Sequence, residues 1–463
     1  MSLKEKLFEK QKLNQILHTT FNPYEPGVAR IHLVPSKFSW VKSTSSVVIL
    51  NGHDIIPVQE AWTILLATFI EKVNAYEGKE VTDEEVDRIV DSTVQEVRRV
   101  YGKRVKEEVI KSDLWKMINT FESIALGKEP ETDIAPISIG EYSKFMTAPH
   151  RMDLMISSMQ KGENWNCNQK CIHCYAAGQK EAIVEELDTD KWKKIIDKCK
   201  EARIPQLTFT GGEPTMRKDL VELIDYSRWF VTRLNTNGVL LSKELCKQLY
   251  EASLDSVQIT LYSNEADVHN KLVGANNFDK TIEGIKNAIE AGLNVSVNTP
   301  ICKLNKKYKE TLVFLNGLGV KYVSCSGLIV TGNAKTEKSK ETQLESEELY
   351  QILEEAVTYC NDNLIEISFT SPGWIKNEKV RELGIDVPSC GACLSNMAIA
   401  PNGDVIPCQS WLSENAKLGN MLDTNWKQIW NHNLCKKIRK NSSKMEGTCP
   451  LRYENNQLIV KNK

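Results

Sequence analysis

The stretch on which the reading turns is Asn166-Cys167-Asn168-Gln169-Lys170-Cys171-Ile172-His173-Cys174-Tyr175. Three cysteines fall within eight residues, in the spacing C-x3-C-x2-C. Three thiolates on one short loop can wrap one corner of a cubane, and iron–sulfur clusters are held by such thiolates. A [4Fe–4S] cube has four irons and this loop offers three ligands, so one iron would stay open, by the same logic that leaves a catalytic zinc a free position. An open iron can chelate a small molecule and pass it an electron. The competing reading is a zinc site with His173 as a fourth ligand. On the cluster reading His173 packs over the metal instead of binding it.

Outward from this loop, from about 152 to 371, short β-runs alternate with amphipathic helices. Strands are predicted at 152–157, 206–210, 233–236, 256–262, 294–299, 322–326 and 366–370, with helices near 188–203, 219–229, 242–252, 278–291, 307–317 and 344–362. Such alternation gives an α/β fold with a parallel sheet, here a partial or complete (β/α) barrel. In barrels of this kind chemistry collects at the C-terminal ends of the strands.

Residues 1–126 hold no cysteine, and His53 is the histidine of note. Two β-rich runs, 29–34 and 46–50, are followed by an Asn51-Gly52 turn, and Pro57 is expected to open a helix with the apolar face Trp62, Leu65, Leu66, Phe69 and Val73. Thr82 to Glu85 reads as a capping box before a second helix carrying Val86, Ile89, Val90 and Val97. A third carries Leu114, Met117, Ile118 and Phe121. Strands followed by helices make a small α+β, winged-helix-like unit; the alternative is a helical cap on a larger enzyme. The expected domains are 1–126, a linker at 127–150, a core at 151–384 and a cysteine-rich region at 385–463.

The length, 463 residues, suits about three domains. Lys and Arg number 59 against 61 Asp and Glu, a net charge of −2 that argues against a dedicated nucleic-acid binder. Hydrophobic residues at 41% and charged residues at 26% exclude disorder. No apolar run approaches the ~18 residues a membrane span needs. The opening MSLKEKLFEKQKLNQ lacks the apolar core of a signal peptide, so a cytoplasmic protein is expected. In a reducing compartment clustered cysteines point to metal or redox chemistry, and the count of thirteen cannot be fully paired.

A second cysteine set lies at Cys390-Gly391-Ala392-Cys393 and Cys408, with Asn402-Gly403 between them. Two short β-runs around an Asn-Gly turn make a hairpin that folds Cys393 and Cys408 back to one end. Cys449 could close a four-thiolate site, and a zinc ribbon is the alternative. Of the other cysteines, Cys199, Cys246, Cys360 and Cys435 lie in helical contexts and read as structural. Cys302 and Cys325 lie at or just beyond strand ends on the side where chemistry collects. Packing is their first reading; the sharper one is hydrogen-atom donation to a substrate radical.

The cysteine loop resembles that of the radical S-adenosylmethionine (SAM) superfamily, and Thr210-Gly211-Gly212-Glu213-Pro214 after the second strand supports the resemblance. It implies that Gly211, Gly212, Glu213 and Pro214 meet the amino group of the cofactor. Asn235, Asn237 and Thr260, at the ends of the next two strands, would line its pocket, together with Tyr175. The family's arginine after the fourth strand is replaced here by Val273 in His269-Asn270-Lys271-Leu272-Val273-Gly274. The form C-x9-G-x4-C resembles the SPASM/twitch extension, as does the run Leu418-Gly419-Asn420 to Trp430, implying one auxiliary [4Fe–4S] cluster on Cys390, Cys393, Cys408 and Cys449. The chemistry implied by the resemblance is reductive cleavage of SAM to methionine and a 5′-deoxyadenosyl radical. The N-terminal unit resembles leader-binding domains that dock a peptide on a sheet edge. The expected function is therefore a maturase that installs a thioether or carbon–carbon crosslink in a ribosomally made precursor peptide, served by a reductant such as flavodoxin or ferredoxin. The alternatives are a peptide epimerase, or oxidation of a protein side chain or small metabolite in the manner of sulfatase maturases.

Overall fold

The computed structural model describes residues 17–24, 27–34, 38–39, 42–43, 46–50, 54–76, 81–102, 105–125, 128–132, 146–444 and 448–451. The chain divides into two compact units, Met1–Met146 and Thr147–Lys463.

The first unit is a four-stranded antiparallel sheet, ordered β1 (Leu17–Tyr24), β2 (Gly27–Val34), β3 (Ser46–Leu50), β4 (Asp54–Val58), followed by α1 (Glu60–Asn74), α2 (Asp83–Tyr101) and α3 (Glu107–Ala125). Leu33, Val48, Leu50 and Ile56 share one core with Leu66, Ile70, Val90, Leu114 and Met117. The capping box forms, the Glu85 carboxylate accepting from the Thr82 backbone N–H at 2.9 Å. Pro57 does not open the helix; it lies in β4, which among the described residues pairs on one side only, the place where a strand tolerates a missing N–H. Asn51, Gly52 and His53 lie outside the described residues.

The second unit is built on one sheet. Its strands are β5 (Arg151–Ser157), β6 (Gln206–Gly211), β7 (Val231–Thr236), β8 (Ser256–Thr260), β9 (Asn294–Pro300), β10 (Tyr322–Ser326) and β11 (Glu366–Phe369). They run parallel in sequential order from β5 to β11. With right-handed crossovers, sequential order puts every connecting helix on one side, as in a barrel. The helices are α4 (Thr189–Glu201), α5 (Leu220–Tyr226), α6 (Lys243–Glu251), α7 (Ala266–Val273), α8 (Phe278–Glu290), α9 (Tyr308–Gly317) and α10 (Ser346–Asp362). The hairpin β12 (Asn396–Ile399) and β13 (Val405–Ile406) adds to the free side of β5, with Met397 opposite Met152. The cysteine-rich region thus contributes strands to the same sheet.

The strands alternate. Leu154, Phe209, Leu234, Ile259, Val297 and Val323 are buried on the helix side. Asp153, Thr208 and Arg233 stand in register on the other face, as do Gln258 and Ser296, and Asn298 and Ser324. Strands of a parallel sheet covered on both faces read as unbroken apolar runs. Polar residues at every second position mark an inner face built to meet something polar.

Candidate active site

A short hairpin, Gln160–Lys161 against Asn164–Trp165, separates β5 from the cysteine loop. The loop is held by its backbone. Lys170 and Ile172 N–H groups donate to the carbonyls of Val273 and Leu272 at 2.9 and 3.0 Å, at the end of α7. Gly274, at φ 63°, is required there, because a Cβ would stand 2.5 Å from the Lys170 carbonyl. Asn333 donates from its backbone to the Cys174 carbonyl at 2.9 Å and from its side chain to that of Cys171 at 3.1 Å. Where the family has its arginine, this chain therefore has a backbone shelf for the loop. His173 points its Nε2 at Thr342 Oγ1, 2.7 Å away, and burial lowers its pKa to about 4. It is engaged outside the thiol set, which disfavours it as a fourth zinc ligand. Burial raises all three thiols, Cys167 to about 12. Metal binds thiolates, so loading releases protons.

The Gly211-Gly212 pair serves a close approach of chain to chain. A Cβ on Gly211 would lie 2.3 Å from the Ser157 carbonyl, and one on Gly212 2.9 Å from that of Ser158. The Gly212 carbonyl in turn accepts from the Cys167 thiol at 3.6 Å. Glu213 has a structural part of its own. Its buried carboxylate accepts from Thr236 Oγ1 at 2.6 Å, Thr215 Oγ1 at 2.5 Å and the Asn237 N–H at 2.8 Å, tying the ends of β6 and β7 together. Asn237 Nδ2 donates to Asn168 Oδ1 at 2.5 Å, a brace between β7 and the cysteine loop. Pro214 starts a single turn, Pro214–Met216. Asn235 and Thr260 lie on the inner face, Thr260 opposite Asn298. Tyr175 packs with Cys167, Cys174, Met155 and, from the C-terminal region, Ala398 and Leu412; its hydroxyl bonds Thr210, and burial raises its pKa.

Cys325 is a correction. It shares its side of the sheet with Thr299 and Phe369 and faces α9 and α10, where Tyr308 and Cys360 are its neighbours. Alternation turns it away from the inner face, so it cannot donate hydrogen there. Cys302 is fully buried below the cysteine loop, packed with Tyr262, Leu272, Val273 and Leu328. Sequence reasoning missed Asp153, Gln258, Asn298 and Ser324. Asp153 is buried on the inner face and paired with Arg151 at 2.9 Å. Ser324 Oγ donates to Asn298 Oδ1 at 3.0 Å and accepts from Gln258 Nε2 at 3.3 Å. The signal was the polar residue at every second position of SVQIT, NVSVNTP and YVSCS.

In the second cysteine set, the Cys393 N–H donates to the Pro407 carbonyl at 3.1 Å, so the hairpin does return Cys393 to the neighbourhood of Cys408. Cys408 feels the charge of Cys390 and Cys449, and burial raises its pKa. Among the described residues no three His, Cys, Asp or Glu converge closely enough to hold one metal ion. Both sets leave orphaned polar atoms beside them. Ser157 Oγ, Asn168 Nδ2 and Asn235 Oδ1 near the first, and Gln409 Oε1 and Thr448 Oγ1 near the second, are buried without a hydrogen-bond partner. Each such atom costs about 1–3 kcal/mol unless something polar meets it. Thiols with orphaned donors and acceptors beside them fit an iron–sulfur cluster and a polar ligand on the first set, and a cluster on the second.

Residues 166–315 match the radical SAM superfamily. Over that stretch the chain is similar to radical SAM enzymes. Residues 390–451 match SPASM, an iron–sulfur cluster-binding domain. The cofactors of these domains are a [4Fe–4S] cluster, SAM and auxiliary iron–sulfur. Over 148 residues the chain is 38% identical to Fe-coproporphyrin III synthase of Methanosarcina barkeri, covering 30% of this chain and 37% of that protein. It is 26% identical over 293 residues to mycofactocin maturase MftC of Mycolicibacterium smegmatis, covering 61% of this chain and 72% of MftC. The chain thus spans little more than a third of the first of these relatives. Its fold is similar to SuiB of Streptococcus suis bound to the precursor peptide SuiA, with a TM-score of 0.59 at 17% identity, covering 88% of this chain and 93% of SuiB. Among the described residues no helix is long and apolar enough to cross a membrane.

Proposed function

We propose that this enzyme is a peptide maturase, forming a thioether or carbon–carbon crosslink in a ribosomally made precursor. The observation that carries the reading is the first unit: an antiparallel sheet whose terminal strands β1 and β4, among the described residues, each pair on one side only. Such an edge can take an extended peptide as a further strand. The fold similarity to a peptide-bound maturase that spans 88% of this chain supports the same reading. On this reading the unit at 1–126 is the winged-helix-like leader-recognition domain, 127–150 the linker, 151–384 the catalytic core and 385–463 the auxiliary-cluster domain.

When bound, the cluster and SAM supply radical chemistry by one-electron reduction. Cys167, Cys171 and Cys174 hold the cluster. Ser157, Asn168 and Asn235 offer the free polar atoms that meet SAM, and Glu213 fixes the strand ends that carry them. The inner-face groups Gln258, Asn298 and Ser324 orient the substrate. Cys390, Cys393, Cys408 and Cys449 are the thiols available to the auxiliary cluster. An electron-transfer protein such as flavodoxin or ferredoxin supplies the reductant.

The test is deletion of residues 1–126. SAM cleavage without peptide should persist, while affinity for a fluorescent precursor should fall. Unchanged affinity would remove the docking role. Product mass reports the chemistry: a loss of two mass units without solvent deuterium marks crosslinking, whereas deuterium at an α-carbon marks epimerisation and overturns it.

A further inference from the structure

The helix α11 (Asn433–Ser442) follows Trp430, and its buried face is Cys435, Ile438 and Ser442. Sequence alone makes Cys435 a space-filling residue of that helix. Its surroundings say otherwise. The Cys435 thiol lies beside the Cys393 thiol. One turn on, Arg439 Nη1 donates to Cys435 Sγ at 3.4 Å. Arg439 is fixed in that position by its guanidinium over the Trp430 ring, 3.8 Å from the centroid, and by a bond to the Trp430 carbonyl at 3.1 Å. At the end of the same helix, Ser442 Oγ lies 3.7 Å from Cys390 Sγ and donates to the Ala392 carbonyl at 2.9 Å.

One helix face thus touches both cysteines of Cys390-Gly391-Ala392-Cys393. Cys435 thus has a clamped guanidinium on one side and Cys393 on the other, contacts that filling space does not call for. Cys199 and Cys246, buried on the faces of their helices, are the space-filling comparison. Cys393 adds an independent mark. It is a non-glycine residue at φ 54°, in the left-handed region, with its backbone N–H bonded to Pro407 beside Cys408. Non-glycine residues held in that region cluster at ligand and active sites.

We propose that Cys435 is a ligand of the auxiliary iron–sulfur cluster, completing a four-thiolate set with Cys390, Cys393 and Cys408. Each thiol gives up its proton on binding iron. Arg439 stabilises the Cys435 sulfur, the Ser442 hydroxyl packs against that of Cys390, and Cys449 lies as a fifth thiol beside Cys408. This rests on the 390–451 region holding a cluster.

The test counts iron and sulfide in the full-length chain, reconstituted anaerobically, with EPR. The wild-type protein should hold about eight irons per chain, two cubes. Cys435→Ala should hold about four and keep the EPR signal that responds to SAM, which shows that the core is folded. Cys449→Ala should keep about eight. Cys435→Ser, of nearly the same shape, separates ligation from packing, because an oxygen ligand changes the auxiliary EPR spectrum whereas a packing residue would not. Cys435→Ser or Cys435→Ala with the wild-type iron content and spectrum would overturn the assignment. About four irons in the wild-type chain would instead overturn the C-terminal cluster itself.

Discussion

The two cysteine sites are built in opposite ways. The first is one continuous loop, its backbone pinned by the carbonyls of Leu272 and Val273 and by Asn333. The second has its thiols on separate segments, 390–393 and 408 linked by a hairpin, 435 on a helix and 449 beyond it. A loop site carries its geometry in local spacing. An assembled site carries it in tertiary packing, so it is harder to see and easier to lose. The largest expected effect breaks the comparison at its first term. Cys171→Ala should abolish 5′-deoxyadenosine formation and remove about four irons, with the remaining iron unaffected. Undiminished cleavage of SAM would refute the assignment of the loop.

Cys408→Ala breaks the second term. It should also remove about four irons, yet leave uncoupled SAM cleavage intact while product formation collapses. Liquid chromatography of deoxyadenosine alongside mass spectrometry of the peptide separates the two readouts. If cleavage and product fall together, the two sites are not independent and the contrast between them is wrong.

The same contrast explains what was legible in the sequence. C-x3-C-x2-C and Gly211-Gly212-Glu213-Pro214 stand in one stretch each, and the strand–helix alternation showed β5 to β11 at nearly their observed bounds. Less was legible where meaning depends on a distant neighbour. Gly211 suggests approach to a ligand, but what it meets is Ser157. Cys325 sits at a strand end, but one residue of register decides which face it takes, and it takes the helix side. Cys435 looks like any buried helical cysteine until Cys393 and Arg439 are found beside it. In the first unit, β1 and β4 escaped notice because Asn22, Pro23 and Pro57 are poor strand formers.

A smaller effect sharpens the first term without touching a thiol. Glu213 is an acceptor to hydroxyl and amide donors from Thr215, Thr236 and Asn237. Glu213→Gln keeps the shape but presents an N–H to one of those donors. Losing one buried bond to a charged acceptor costs about 1.5–3 kcal/mol. If that strain loosens the strand ends that carry Asn235 and Asn237, SAM affinity should weaken by roughly tenfold or more, while iron content stays at its wild-type value. Equilibrium binding of SAM to the reconstituted protein checks this. A loss of iron instead would make Glu213 part of the cluster's own support.

The smallest effect is a pH dependence placed under the same loop. His269, on α7 whose end carries the loop, is fully buried, and burial lowers its pKa to about 4. Its Nδ1 accepts from the Tyr262 N–H at 3.3 Å. The folded chain therefore holds His269 neutral, while the unfolded chain protonates it near its ordinary value of about 6.5. The contribution of His269 is then intact above about pH 6.5 and declines as pH falls toward 4, by about 2 kcal/mol at pH 5, in addition to that of His150 and His173, whose pKa values burial lowers likewise. Urea unfolding of the full chain at pH 7 and pH 5 measures the slope. His269→Gln, which cannot titrate, should be less stable at pH 7 but lose less on going to pH 5. An unchanged slope would show that His269 is not what makes the support of the first site acid-sensitive.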